Sequence, residues 1–130
     1  GEGEGVAAES ARGQLFLRAV EMMATADRNG WFAAPVKEQE APGYAEAIAH
    51  PMDLQTMAGK VRARRYADES ELEADFRRVF ENCMAYNEQG APIHEEARRL
   101  LATVPEVFSA CALQISGRYH GQGRRKKKGH

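Results

Sequence analysis

Leu15, Phe16, Ala19, Val20 and Met23 recur one, three and four residues apart, the period of a helix with one buried stripe. The spacing predicts a first helix from about Ser10 to Ala26, stopped at Asp27-Arg28-Asn29-Gly30, where Asn and Gly supply the backbone conformations that end a helix. From Trp31 to His50 the chain has neither a 3.6-residue nor a 2-residue period, and Pro35, Pro42 and Gly43 punctuate it. This reads as a loop of about 20 residues, a length that is uncommon in a compact domain and usually functional. It contains Trp31, Phe32, Val36 and Tyr44, apolar groups that a purely solvated loop would not keep.

Periodicity resumes after Pro51. Asp53 is placed to cap a short second helix through Leu54, Met57 and Val61, ending near Arg65. A third helix is expected from Ser70, where Ser70 and Glu73 have capping-box spacing, with Leu72, Phe76, Val79, Phe80, Cys83 and Tyr86 as its buried stripe. Asn87 to Pro92 ends it. A fourth follows with Leu100, Leu101, Val104, Val107, Phe108, Cys111 and Ile115 facing inward, and Pro105 within it predicts a kink or a lost backbone bond. No segment reads as a strand, so the class is all-α, an antiparallel bundle of four helices with a long loop between the first two.

Composition bounds the rest. With 130 residues and 43% hydrophobic positions, one domain with a proper core is expected. No apolar run approaches the roughly 18 residues of a bilayer span, and the start lacks the basic and apolar regions of a secretory leader, so no membrane partner is expected. The Gly/Glu-rich residues 1–9 and the Gly/Arg/Lys-rich residues 118–130 have too little apolar content to order themselves, and are expected to be flexible flanks of a domain at 10–117. Cys83 and Cys111 lie in apolar helical patterns and read as reduced core residues of an intracellular protein.

The formal net charge of −1 hides a division. Residues 118–130 hold six bases and no acid, so residues 1–117 carry −7. The stretch 27–54 supplies a net −3 and 87–96 another −3, which makes the long loop and the start of the fourth helix acidic.

Catalytic chemistry is missing from the sequence. His94-Glu95 opens like a zinc-protease helix, but Arg98 stands where the second His belongs. There is no phosphate-cradling Gly-rich loop ending in Lys, no nucleophile elbow and no paired Cys motif. Glu95-Glu96 is far more often a solvated helix face than an acid/base pair. No cofactor is implied.

Two segments carry a positive signal: Pro35-Val36, Ala41-Pro42-Gly43-Tyr44, Ile48 and Pro51-Met52-Asp53-Leu54 form the first, and Asn82-Cys83-Met84-Ala85-Tyr86-Asn87 the second. In this order, around a long loop, they resemble a bromodomain, the acetyl-lysine-reading module of chromatin proteins, over about residues 12–117. The resemblance implies a left-handed four-helix bundle with a ligand pocket at one end, a nuclear location, and an acetylated histone tail or other acetylated protein as partner, within a larger chromatin complex. It also implies roles. Asn87 matches the asparagine that donates to the acetyl carbonyl, and Tyr44 the tyrosine that reaches the same oxygen through a water. Tyr86 lines the pocket, Val36 and Phe32 form its wall and floor, and Ile93 takes the gatekeeper position. Pro35, Trp31 and Cys83 complete the set. Six of the seven excess negative charges would then surround the mouth and attract a lysine-rich tail.

Bland readings stand beside these. Alone, Tyr86 is as good a core residue as a pocket wall, Asn87 is a helix C-terminal residue, Ile93 is fourth-helix core, and Cys83 is a structural thiol. The family's W-P-F shelf reads Gly30-Trp31-Phe32 here: either Gly30 takes the tryptophan's place, or a one-residue slip returns Trp31 to it. Ala45 replaces the second loop aromatic, and Gln39 and Ala41 stand where larger aliphatics are common, so a wider, shallower mouth is expected. The competing function is a bromodomain-like helical scaffold with weak or lost acetyl-lysine binding. A third reading has Arg124, Arg125, Lys126, Lys127 and Lys128 touch nucleic acid, weakly if at all, and a nuclear-import signal is the blander account of the same run.

Overall fold

The computed structural model describes the backbone of residues 2–128 and the side chains of residues 11–111. Four long helices, α1 (Glu2–Ala26), α3 (Leu54–Arg62), α4 (Glu69–Tyr86) and α5 (Pro92–Lys128), form the bundle, and a single turn, α2 (Tyr44–Ala47), interrupts the long loop. Each long helix packs on two others, in the cyclic order α1, α3, α4, α5. Among the described residues there is no strand, and no helix is long and apolar enough to cross a membrane.

The stripes expected from periodicity meet in one core. Phe76, Phe80 and Leu72 of α4, Met23 of α1, Met57 of α3 and Leu100 of α5 are fully buried. The Phe76 ring meets Phe108 edge-on, with centroids 5.9 Å apart. Leu101 and Phe108 are only partly buried, and Ile115 lies outside the described side chains. Cys83 and Cys111 are both free and buried.

Several expected boundaries move. α1 begins at Glu2 rather than Ser10, and α5 runs to Lys128, so helical backbone passes through both ends expected to be flexible flanks; their side chains lie outside the described residues. No proline interrupts 2–26, and Pro105 lies inside α5, where it withholds its own donor while the helix continues on both sides. α3 ends at Arg62 rather than near Arg65, because Arg64 turns left-handed with φ 58°. α4 is capped by Asp68, not Ser70: the Asp68 carboxylate accepts from the Glu71 amide, and Glu71 in turn accepts from the Ala67 amide. Ser70 donates to Asp68 at 2.7 Å, so the serine supports the cap instead of forming it. The Asp53 cap on α3 is as expected, with its carboxylate accepting from Thr56.

Two buried carboxylates hold the bundle together where periodicity predicts only apolar contacts. Asp75, on the buried stripe of α4, accepts from Lys60 and from the Tyr66 hydroxyl, each at 2.6 Å, and from Arg78 at 3.1 Å. Asp27, just past α1, accepts from the amides of Trp31 and Phe32 at 3.1 and 2.9 Å. That contact fixes how the chain leaves the bundle and enters the loop.

Candidate functional site

The long loop is pinned along its length rather than free. Asp27 holds its start, and Arg99 of α5 donates to the Ala26 carbonyl beside it at 2.8 Å. The carbonyls of Phe32 and Ala33 accept from the amides of Leu54 and Gln55, tying the loop's first turn to the first residues of α3. Further along, Glu38 accepts from the Gly43 amide at 2.7 Å, and the Tyr86 hydroxyl donates to the Pro42 carbonyl at 2.7 Å. Asn82 donates to the His50 carbonyl at 2.8 Å. Gly43 has φ 80°, a left-handed conformation that a side chain would strain, and it launches α2 so that Tyr44 turns inward.

A cavity of about 400 Å³ opens between this loop and the ends of α4 and α5. All nine residues singled out in the sequence line it: Trp31, Phe32, Pro35, Val36, Tyr44, Cys83, Tyr86, Asn87 and Ile93. They are arranged by depth. Phe32, Tyr44 and Cys83 are buried, Tyr86, Asn87 and Ile93 are half-buried, and Trp31, Pro35 and Val36 are exposed at the rim. Val36 is 42% exposed, so it edges the mouth instead of walling the interior. Phe32 is a buried part of the lining, its ring edge-on to Phe80 with centroids 5.2 Å apart. The shelf departs from its expected aromatic pair in one respect: Gly30 lines the cavity without a side chain, and Trp31, 43% exposed, supplies the aromatic surface there. Trp31 also walls a neighbouring groove with Arg28, Asn29, Pro92 and Glu96.

Polar groups converge at depth. Asn87 caps the end of α4 with an extended backbone, not the left-handed one that asparagine often takes at a helix end. Its side-chain amide donates to the Cys83 carbonyl at 3.0 Å, with the Cys83 sulfur 3.5 Å away. The bond to the carbonyl orients the amide through one turn of its own helix and occupies one of two N–H donors. The Tyr44 and Tyr86 rings lie 5.1 Å apart at a tilt, and the Tyr86 hydroxyl is spent on Pro42. Burial, with a smaller contribution from Cys83, raises the Tyr44 phenol above its ordinary pKa, so it remains a neutral hydrogen-bonding group. The Cys83 thiol donates toward the Ile93 carbonyl at 3.5 Å, and burial pushes it up to about 11. Such a thiol is a wall group and a poor nucleophile at neutral pH.

Other lining residues were not singled out. Met52 belongs to the Pro51-Met52-Asp53-Leu54 run and extends its role into the cavity; Val79, read as plain core, also reaches the lining. Lys37 and Glu40 put opposite charges on the lining, and Ala34 and Ala41 keep the loop side shallow in bulk. The expected acidic surround is largely put to structural use. Asp27 and Asp53 hold backbone amides, and Glu38 holds Gly43. Glu95 accepts from the Gly90 amide, which heads the causes that lower its pKa, and it also pairs with Arg98. Both Glu96 oxygens are gripped by Arg99 at 2.7 and 2.9 Å, which lowers its pKa and raises that of the arginine. Among the described residues no group of three or more His, Cys, Asp or Glu side chains is placed to hold a metal.

Comparison with known proteins agrees with this geometry. The bromodomain family model matches residues 16–99. Bromodomain-containing protein 9 of Danio rerio is 38% identical over 96 residues, covering 74% of this chain and 15% of that protein. The bromodomain and PHD finger-containing protein 3 of Mus musculus is 36% identical over 86 residues, 66% of this chain and 7% of that one. The chain thus spans a small part of the curated relatives it matches. A crystal structure of a bromodomain from Leishmania donovani, complexed with bromosporine, superposes with a TM-score of 0.74 at 27% identity, over 77% of this chain and 85% of that one.

Proposed function

Since this chain belongs to the bromodomain family, we propose that it reads N-ε-acetylated lysine in histone tails or other chromatin proteins, in the nucleus, as a binding module and not an enzyme. One observation carries the reading: Asn87, Tyr44 and Tyr86 converge on one largely apolar cavity, and the carboxylate of Asp53, which also lines it, is already engaged by Thr56. An acetylated lysine presents an uncharged amide on an apolar stem, and such a cavity can take both. An unmodified lysine would lose the hydration of its ammonium there without gaining a free counter-charge, since the Asp53 oxygens are held by the Thr56 amide and hydroxyl, so discrimination comes from desolvation.

In this reading Asn87 donates its remaining N–H to the acetyl carbonyl, its amide held in place by Cys83. Tyr44 reaches the same oxygen through an ordered water, and its neutral phenol suits that role. Phe32 carries the acetyl methyl, while Val36, Ile93, Pro35 and Trp31 flank the lysine stem. With so few direct polar contacts an isolated peptide binds at about micromolar to a fraction of millimolar. The small share of the relatives' length leaves room for the module to serve a larger chromatin complex.

Calorimetric titration with singly and doubly acetylated histone-tail peptides tests the reading, with the unacetylated peptides and Asn87→Ala as controls. Saturable binding of acetylated peptides alone, weakened at least tenfold in Asn87→Ala and displaced by bromosporine, is expected. Millimolar acetylated peptide giving no heat, or binding that ignores Asn87→Ala, would instead leave a bromodomain-like scaffold.

A further inference from the structure

We propose that Glu40 is a specificity-determining residue of the cavity mouth, selecting acetylated peptides that carry a cationic side chain beside the acetyl-lysine. The inference rests on the acetyl-lysine reading and adds which neighbours of the modified residue are favoured.

The carboxylates at this end of the bundle divide into those with a task and three without, Glu40, Glu46 and Glu88, of which Glu40 alone lines the cavity among the described residues. Asp27, Glu38 and Asp53 accept from backbone amides, and Glu95 and Glu96 are held by Arg98 and Arg99. Glu46 and Glu88 are exposed but do not line the cavity. Glu40 lines it, is exposed, and among the described residues carries no side-chain hydrogen bond or ion pair. Its backbone is held, since its amide donates to the Lys37 carbonyl at 2.9 Å, so the charge sits on an ordered turn.

A buried acetyl group brings no charge, so any charge preference of the complex must arise at the rim. Glu40 attracts a Lys or Arg side chain within reach, and the exposed Trp31 and Val36 give the methylene stem of such a side chain an apolar surface. Lys37, three residues earlier, also lines the cavity without pairing to Glu40. It opposes the same cation, so the preference depends on position along the peptide: a base is favoured near Glu40 and disfavoured near Lys37. Both groups are solvent-exposed and act over roughly a Debye length of about 8 Å at physiological salt. An exposed pair of this kind changes affinity by about two- to fivefold.

The test is a positional scan. Peptides with one central acetyl-lysine and Lys, Gln or Glu at each position up to four residues on either side are titrated into the whole chain and into Glu40→Gln and Lys37→Gln. The expected result is a two- to fivefold preference for Lys over Gln at one or two positions, lost in Glu40→Gln, enlarged in Lys37→Gln, and diminished by 0.5 M salt. A flat scan, or a preference that survives Glu40→Gln, overturns the proposal. Failure of the acetyl-lysine reading looks different, because then the all-Gln acetyl peptide itself does not bind.

Discussion

The Tyr86 hydroxyl donates a 2.7 Å hydrogen bond to the Pro42 carbonyl, 44 residues upstream, and so fastens the second half of the long loop to the end of α4. The same ring faces Tyr44, which follows Pro42 by two residues. Tyr86→Phe keeps the ring and removes the bond. It should lower stability by about 0.5–1.5 kcal/mol in urea denaturation and weaken acetylated-peptide binding about three- to tenfold. Unchanged affinity would mean that ring packing alone places Tyr44.

Asp27 accepts two amides, those of Trp31 and Phe32, with its two carboxylate oxygens while itself only 5% exposed. Asp27→Ala leaves both donors without their partner and should cost about 2–4 kcal/mol, with Asp27→Asn losing about half as much because one acceptor oxygen remains. Peptide affinity should fall in step, since Phe32 lines the cavity. A variant with full stability would show that the Leu54 and Gln55 amides suffice to hold this turn.

Asp75 gathers Lys60, Tyr66 and Arg78 around one buried carboxylate, and the Lys60 ammonium also lies 4.7 Å from the Tyr66 ring centre. Asp75→Ala should destabilise by about 2–4 kcal/mol, less than for a wholly buried pair, because Lys60 and Arg78 are partly exposed and can turn to water. Asp75 is not among the residues lining the cavity, so the affinity of the remaining folded protein should be unaffected. A selective loss of binding would tie this cluster to the site.

Alkaline conditions should weaken the fold. Burial holds the Cys83 thiol at about 11 in the folded chain, against 9.0 for an open thiol, and burial with the Asp75 bond raises the Tyr66 phenol as well. The unfolded chain releases these protons first, so the native state holds more of them and stability declines as pH rises. The Cys83 contribution is complete below about pH 9 and fades between pH 9 and about 11, with Tyr66 adding to the decline above about pH 10. Denaturation at a series of pH values in Cys83→Ala should show a shallower fall over the first window. An equal fall would assign the effect to other groups.

The bundle was legible because its four apolar stripes are long and regular, and Leu72, Phe76, Val79 and Phe80 are buried as their spacing requires. Capping was less so. Ser70 with Glu73 and Asp68 with Glu71 have the same spacing, and the charged Asp68 prevails at the helix start, where a carboxylate suits the unpaired amides. Asp75 and Asp27 were illegible for a different reason: a buried acid is recognised by its partners, and Tyr66, nine residues before Asp75, declares itself only once α3 and α4 are packed. In the loop the convergence of Pro35, Tyr44 and Asn87 on one cavity follows from motif order, whereas the depth of each does not. Val36 and Trp31 are exposed on either side of the Phe32–Ala33 turn, whose carbonyls are tied to α3, a placement that only the packed loop defines.

Between the Asp27 and Phe32–Ala33 anchors on one side and the Tyr86–Pro42 bond on the other, residues 34–41 form a span fastened at both ends. Its side chains from Ala34 to Glu40 are exposed, and the core residues lie outside it. Apart from Glu38, which holds the Gly43 amide, exchanging these side chains leaves the anchors and the packing of the bundle intact. Outside Glu38 the span can therefore drift in sequence at little thermodynamic risk, and an exchange at Ala34, Pro35, Val36, Lys37, Glu40 or Ala41 re-cuts the mouth of the cavity while Asn87 and Tyr44 stay where they are. Divergence in what such a module prefers to bind should accumulate in these six positions before it touches anything that keeps the chain folded.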